Sequence, residues 1–152
     1  MSTVALSGSD SLTINNFLIS ADLADGDVVD LTFPNNIATV KTGKNGNSIY
    51  GLNEMGKQAE AKIRVIRGSA SDSFLNNLLI QQQQNFAGTV LLIGQFIKKI
   101  GDGQGNILSD TYVLSGGVFT KQVEGKSNVE GDAMQSVAVY TVMFSLSPRA
   151  LT

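Results

Sequence analysis

The side chains that most often perform catalysis are missing from this sequence. Its 152 residues include no histidine and no cysteine. Without histidine, the commonest general base, the commonest metal ligand and the usual partner of a catalytic serine are absent. Without cysteine, no disulfide bond, zinc–thiolate site or thiol nucleophile can form. Carboxylates remain as the candidate acid–base groups.

The carboxylates are scattered along the chain. Two carboxylates can perform acid–base catalysis when a fold holds them together. The acidic residues that lie close in sequence fall in a turn, at Asp25 and Asp27, or at strand edges, at Glu124 and Glu130. We therefore expect a protein that is not an enzyme, and we expect no cofactor and no metal.

One glycine-rich segment, residues 101–106, has a Gly-x-Gly-x-Gly pattern. It lies between two strand-like runs and does not open a helix, so no helix N-terminus is available to bind phosphate. Asp102, Asn106 and Asp110 offer oxygen ligands for calcium, but the spacing of an EF-hand loop is missing. The pattern predicts a hairpin turn.

The segment from Ile37 to Arg67 is the most informative, and residues 42–57 form its middle. They separate a strand-like run at 37–42 from an alternating run at 58–67, whereas most hairpin loops have two to five residues. A disordered linker would not cluster so many large apolar side chains. We predict a loop of about fifteen residues that contacts another subunit. Its candidate contact residues are Thr42, Lys44, Asn45, Asn47, Ile49, Tyr50, Leu52 and Met55. The tip at 43–47 is either a flexible end or an adaptable contact in which Lys44 reaches an acidic neighbour.

Strand signals dominate the rest of the chain. The predicted strands cover residues 12–19 with a kink at 15–16, 28–33, 37–42, 58–67, 89–97, 107–114, 118–123 and 135–146, and a turn is predicted at 24–27. The last strand is apolar on both faces, which indicates burial on both by two packed layers or by one layer and a neighbouring subunit. Pro148 should end it, and Leu151 should fray unless it packs against a neighbour.

One helix is predicted after the fourth strand. Ser71 is a suitable N-cap, and Asp72 in the first turn favours the helix dipole. An apolar stripe at helical spacing should pack on the sheet as ordinary core, and the helix should end near Asn85. The stripe consists of Phe74, Leu75, Leu78, Leu79 and Gln82.

The composition favours a chain with partners. Only 16% of the residues are charged, against roughly 25% in typical globular proteins. The alternative is a compact, β-rich monomer with an uncharged polar surface. The net charge of −2 and the lack of a basic cluster longer than Lys98–Lys99 give no sign of duplex binding. No signal peptide and no membrane-spanning segment are predicted, and residues 1–152 should form one domain.

The order of these elements resembles a known family. Strands, a long polar-tipped hairpin, one helix that begins at a Ser-Asp pair, and strands to the C-terminus are similar to the inner tail tube protein of contractile-tailed bacteriophages. Residues 61–79, the strand at 89–97 and the final strand show the resemblance most clearly. The resemblance extends over nearly the whole chain and depends on pattern, without a diagnostic short motif.

The resemblance implies both a fold and a function. The expected fold is mainly β with one α-helix: two packed antiparallel sheets, as a sandwich or split barrel, with a flanking helix and a long protruding hairpin loop. The expected function is structural. Hexameric rings of this chain would stack through the loop and enclose a channel for passing DNA. The expected partners are other copies of the chain, the sheath protein, and the baseplate and tail terminator proteins, without membrane insertion.

The expected location is the virion tail, after assembly in the host cytoplasm. The tubes of tailocins and type VI secretion systems share this plan and stay open as alternatives. A monomeric β-sandwich binding module is the alternative from a different class.

Overall fold

The computed structural model of the chain describes residues 4–6, 11–19, 29–125 and 136–152. Its strands are β1 (Ala5–Leu6), β2 (Ser11–Ile14), β3 (Phe17–Leu18), β4 (Val29–Thr32), β5 (Ala38–Thr42), β6 (Ser48–Leu52), β7 (Ala59–Ile66), β8 (Leu92–Gly101), β9 (Ile107–Phe119), β10 (Val137–Leu146) and β11 (Arg149–Leu151). The α-helix α1 spans Ala70–Gln84, and short 3₁₀ turns occupy Glu54–Lys57 and Phe86–Gly88. The predicted turn at 24–27 and Glu130 lie outside the described residues.

Two antiparallel sheets are present, and they are not closed into a barrel. The larger sheet has nine strands in the order β3-β2-β8-β9-β10-β7-β4, with β1 paired to the end of β8 and β11 paired to β9. The smaller sheet consists of β5 and β6 alone. The predicted class, mainly β with one helix and two antiparallel sheets, is confirmed.

The core lies between the larger sheet and α1. Along β7, Ala59, Ala61, Ile63 and Val65 are buried while the residues between them are partly exposed, as the alternation predicted. Strand β10 is buried at six of its ten positions, including consecutive ones. This confirms that its two apolar faces are both covered.

The helix begins two residues earlier than predicted. Ser69 is the N-cap, because its hydroxyl accepts the backbone N–H of Asp72 at 3.2 Å. The Asp72 carboxylate accepts the backbone N–H of Gly68 at 2.8 Å, which stabilises the same turn. Ser71 is fully buried and is not the cap. The sequence offers serines at 69, 71 and 73, so residue type alone could not choose among them.

The predicted stripe of α1 does face the sheet. Leu75 and Leu79 are buried in the core, and Phe74 and Leu78 are half-buried against it. Gln82 is also buried, and its amide makes two hydrogen bonds to the backbone of Phe119, from Nε2 to the carbonyl at 2.8 Å and from the N–H to Oε1 at 2.9 Å. Gln82 therefore acts as a strand partner at the end of β9.

A buried tyrosine holds the N-terminal turn of α1 against the sheet. The Tyr140 hydroxyl on β10 donates a hydrogen bond to the Asp72 carboxylate at 2.5 Å. Burial, followed by the neighbouring Asp72, raises the pKa of Tyr140 well above its ordinary value. The phenol therefore stays protonated and remains a donor, so it links the first turn of the helix to the sheet.

Two predicted strand boundaries are wrong because of asparagine and glycine geometry. The run at 12–19 is not one kinked strand but the hairpin β2–β3, whose turn residues Asn15 and Asn16 have φ of 50° and 67°. Asparagine tolerates this left-handed region, so the pair makes a two-residue turn.

Conversely, β9 is one strand of 13 residues that continues through Gly116, with φ of 66°, and Gly117. The glycines there mark an irregularity inside a strand and not its end.

The C-terminal segment is paired, not frayed. After Pro148, β11 pairs antiparallel with residues 110–112 of β9. Arg149 donates two hydrogen bonds to the Asp110 carboxylate, at 2.7 and 2.8 Å, and its guanidinium lies 5.8 Å from the centre of the Tyr112 ring. Strand pairing and a bidentate ion pair thus hold this end in place.

Candidate assembly surface

Residues 37–53 form a projecting hairpin, which we call the arm. Strands β5 and β6 pair in register from Ala38↔Leu52 to Thr42↔Ser48. The turn between them is only residues 43–47, closed by a 2.8 Å hydrogen bond from the Gly43 N–H to the Asn47 carbonyl. The predicted loop of about fifteen residues is therefore wrong, because residues 48–52 form a second strand. The run at 37–42 pairs with that strand and not with β7.

The base of the arm is well fixed. The Asn53 N–H donates to the Ile37 carbonyl at 2.9 Å, so the two ends of the hairpin lie side by side. The side chain of Asn53 caps the following 3₁₀ turn, and Asn35 donates to the Met55 carbonyl at 3.2 Å. Gly56 lies so close to Ile37 that an added Cβ would be 2.7 Å from the Ile37 Cα. The arm therefore has a defined direction.

Both faces of the arm are exposed. Cross-strand partners share a face, so Val40, Tyr50, Ala38 and Leu52 form one apolar face. The opposite face carries Thr39, Gly51, Lys41 and Ile49. The exposed fractions of Ile49, Tyr50 and Leu52 are 75%, 75% and 74%. No part of the chain that the structure describes covers these side chains.

The structure separates the predicted contact residues into three groups. Thr42, Lys44, Asn45 and Asn47 lie at the tip of the arm and are exposed, and the hydroxyls of Thr42 and Ser48 are 2.9 Å apart. Tyr50 and Leu52 lie on the apolar face, whereas Ile49 lies on the opposite face. Met55 belongs to the 3₁₀ turn at the base and is more than half exposed.

Two arm residues were missed by the sequence analysis. Ile37 and Val40 have exposed fractions of 70% and 57%. They belong to the run that was interpreted as an ordinary strand beside the loop. Pairing that run with residues 48–52 would have placed Val40 next to Tyr50.

Further exposed apolar side chains lie around the start of β8, on two sides of the larger sheet. Val90 lines a cavity with Gln82 and Phe119 on the side of α1, whereas Ile93 and Val113 lie on the opposite face. Val90 has an exposed fraction of 83%, the highest among the large apolar side chains of the described residues. Ile93 and Val113 line a groove of about 420 Å³ whose polar lining includes Thr13, Gln95 and Ser115. β8 shows no strict alternation, so the sequence did not predict these exposed side chains.

The glycine-rich segment forms a turn, as predicted. The Asp102 carboxylate accepts hydrogen bonds from the backbone N–H of Gln104 at 2.8 Å, and from the backbone and side-chain amides of Asn106 at 3.2 and 2.8 Å. The bond from the Asn106 side chain contributes most to lowering the pKa of Asp102. These contacts occupy the carboxylate oxygens within the turn.

Within residues 4–6, 11–19, 29–125 and 136–152, no three acidic, histidine or cysteine side chains come together in a metal-binding group. Among those same residues, no helix has the length and apolar character needed to cross a membrane.

Comparison with known proteins finds a similar structure but no matching sequence. No family model and no curated protein matches this chain. A similar solved structure is a chain from the cryo-EM structure of an extracellular contractile injection system, the PVC sheath–tube complex in its extended state. The two chains superpose with a TM-score of 0.60 at 11% identity, over 94% of this chain and 88% of that one. The two chains therefore share a fold over nearly their whole length.

Proposed function

We propose that this chain is a structural subunit, without enzymatic activity, that assembles with copies of itself into the tube of a contractile injection system. The observation that carries this proposal is the arm, an ordered two-stranded hairpin with exposed apolar side chains on both faces. Such a hairpin alone is at best marginally stable in water. It therefore indicates a surface that becomes covered by another molecule. The fold shared with a chain of a sheath–tube complex supports a second copy as that molecule.

The energy available from the arm is large enough for assembly. Burying one large apolar side chain contributes about 1.5–3 kcal/mol. Association costs about 4–15 kcal/mol in lost translational and rotational freedom, so one arm gives a weak contact. Several arms acting together between two rings would give a strong one, because each contact after the first is intramolecular.

More specifically, we propose that the chain forms the inner tail tube of a contractile-tailed bacteriophage. Stacked hexameric rings would surround a channel for the genome, with a sheath outside and baseplate and terminator proteins at the ends. The chain has only 11 Lys and Arg residues, which supports a channel whose wall does not bind the phosphates of DNA tightly. The tube of a tailocin or of a type VI secretion system is the alternative at this level.

The test is the mass and shape of the purified protein. We expect rings or tubes in negative-stain micrographs and a sedimentation coefficient that rises with concentration. A wild-type protein that remains monomeric at high concentration would contradict the proposal and favour a monomeric binding module.

Two variants make the test specific for the arm. In the first, Ala38–Leu52 is replaced by a short Gly-Ser link, which the adjacent backbones of Ile37 and Asn53 permit. In the matched control, only the tip at 43–47 is replaced by Asn-Gly, which preserves β5 and β6. We expect the first variant to fold and not polymerise, while the control still assembles. Normal tubes from the first variant would show that the arm is not the contact.

A further inference from the structure

We propose that Asn45, at the tip of the arm, is a site of spontaneous covalent modification, at which the side-chain amide is lost as ammonia and the residue becomes aspartate or isoaspartate. The inference concerns the folded subunit by itself and does not depend on the proposed function. No enzyme or cofactor takes part, because both reacting groups belong to the chain and water completes the reaction.

The reaction joins the Asn45 side chain to the backbone nitrogen of Gly46. That nitrogen loses its proton to solvent and attacks the side-chain carbonyl carbon of Asn45. A new carbon–nitrogen bond forms, the bond to the side-chain nitrogen breaks, and this nitrogen leaves as ammonia with a proton from solvent. Water then opens the five-membered succinimide ring. Attack of water on the side-chain carbonyl gives aspartate, and attack on the main-chain carbonyl gives isoaspartate, whose backbone is one carbon longer.

The first support is the residue that follows Asn45. A side chain at position 46 would crowd the approach of its nitrogen to the Asn45 side chain, and glycine has none. Asn45 is the only asparagine of the sequence that is followed by glycine. A Cβ built on Gly46 would meet no atom within 4 Å, so the ring has open space in which to form.

The second support is the freedom of the Asn45 side chain. It is exposed and has no hydrogen-bond partner among the residues that the structure describes. Several other asparagines are held by hydrogen bonds: Asn15 to Ile93, Asn35 to Met55, Asn53 to Met55, Asn85 to Gly88 and Asn106 to Asp102. Those bonds restrain the rotation that the attack requires, whereas Asn45 is free to turn toward Gly46.

The third support is the weak restraint on the attacking nitrogen. The Gly46 N–H donates to the Gly43 carbonyl at 3.0 Å, which closes a turn with Lys44 and Asn45 at its centre. This hydrogen bond must open before the attack. All residues of the tip, 43–47, are exposed, and local opening costs least in such loop tips. The bond from the Gly43 N–H to the Asn47 carbonyl and the pairing of β5 with β6 need not break.

A second residue before glycine shows what the structure adds to the sequence. Asp102 precedes Gly103 and can form the same ring with water as the leaving group. Its carboxylate accepts hydrogen bonds from the Asn106 side chain and from the Gln104 backbone, which lower its pKa. An ionised carboxylate held in this way is a poor target for a backbone nitrogen. We therefore expect modification at Asn45 and not at Asp102.

Modification changes the tip of the arm in two ways. It adds one negative charge beside Lys44, in a chain whose formal net charge is −2. Isoaspartate also lengthens the backbone inside the turn that Gly43 and Gly46 close. The proportion of altered tips should therefore rise with the age of the protein.

The test follows the purified wild-type protein during incubation in mildly alkaline buffer. A glutamate-specific protease, used at mildly acidic pH to stop the reaction, releases residues 1–54, because Glu54 is the first glutamate of the chain. Mass spectrometry with fragmentation then assigns the change to one asparagine. We expect Asn45 to convert several-fold faster than Asn47, which lies in the same tip but is followed by Ser48. The rate should rise with pH, because the attacking nitrogen must first lose its proton.

Gly46→Asn is the matched variant. Gly46 has φ of 83°, and asparagine tolerates this left-handed region, so the turn should persist while the new side chain obstructs the attack. We expect conversion of Asn45 to slow several-fold at an unchanged melting temperature. An unchanged rate in this variant, or conversion of Asn47 as fast as that of Asn45, would show that position 46 does not direct the reaction and would overturn the inference.

A synthetic peptide of residues 41–49 provides the reference without a fold. Its Asn45 should convert, and the folded protein should follow it within the same incubation. If the peptide converts and Asn45 of the folded protein stays intact, the turn protects this residue and the inference is wrong.

Discussion

At the scale of single residues, Gln82 is the side chain whose role is least expected from its type. Its amide satisfies both the N–H and the carbonyl of Phe119 at the buried end of β9. Gln82→Leu should leave these two groups without partners and lower the free energy of unfolding by about 1–3 kcal/mol. Urea denaturation of the isolated subunit measures this loss. Gln83→Leu, at an exposed position of the same helix, is the control and should change stability little. Equal effects of the two substitutions would contradict the assigned role.

The pair formed by Asp110 and Arg149 makes stability depend on pH at this scale. The hydrogen bonds from Arg149 lower the pKa of the Asp110 carboxyl below its ordinary value of 3.8. A lowered native pKa stabilises the fold fully above the unfolded pKa, and this stabilisation disappears as the pH falls through the native pKa. The difference in melting temperature between wild type and Asp110→Asn should therefore be constant near neutral pH and shrink below pH 3.8. A difference that does not change with pH would contradict this account.

At the scale of elements, the arm depends on a close approach at its base. An alanine Cβ at position 56 would lie 2.7 Å from the Ile37 Cα and 2.9 Å from the Asn36 carbonyl oxygen. Gly56→Ala should therefore displace the arm and reduce assembly, and it should also lower the melting temperature, because position 56 is buried and the clash is with backbone atoms.

Sedimentation of the Gly56→Ala variant together with its thermal melt measures both effects. Gly43→Ala is the matched control, since its Cβ would have an ordinary contact distance of 3.7 Å to the Asn47 carbonyl oxygen. Assembly of Gly56→Ala at the wild-type level would show that the close approach at the base does not position the arm.

The elements also show how far the sequence predicts this fold. The alternation along β7 and the stripe of α1 were predictable, because burial of one face imposes the period of the element on the sequence. Strand β6 was not predictable in that way, because both of its faces are exposed in the single chain. The apolar cluster at Ile49, Tyr50 and Leu52 did identify the segment, but not its strand structure.

The positions of turns were the second feature that the sequence did not predict correctly. Asn15-Asn16 was interpreted as a kink, and it is the turn of a hairpin, whereas Gly116-Gly117 was placed between two separate strands and lies inside β9. Both pairs permit a positive φ, so residue type alone could not decide whether the chain reverses there. The exposed side chains of Val90 and Ile93 were missed for a third reason, because an exposed apolar residue is ordinary by itself.

At the scale of the whole molecule, ion pairs form among the residues that the structure describes. Ion pairs join Lys57 to Glu54 at 2.7 Å, Arg64 to Asp30 at 2.9 Å and Arg149 to Asp110 at 2.7 Å. The apolar face of the arm, in contrast, carries no charged residue and stays exposed.

This division predicts how assemblies respond to salt. At about 1 M salt the screening length falls to about 3 Å, so contacts between exposed charges would be lost. Burial of apolar side chains is not weakened by this screening, and it becomes stronger with sulfate and weaker on cooling. Tubes should therefore persist in molar sodium chloride, lengthen with ammonium sulfate and shorten in the cold. Sedimentation and electron microscopy across these conditions measure the response. Dissolution into subunits at high salt would show that ion pairs hold the assembly, and would contradict docking of the arm through its uncharged face.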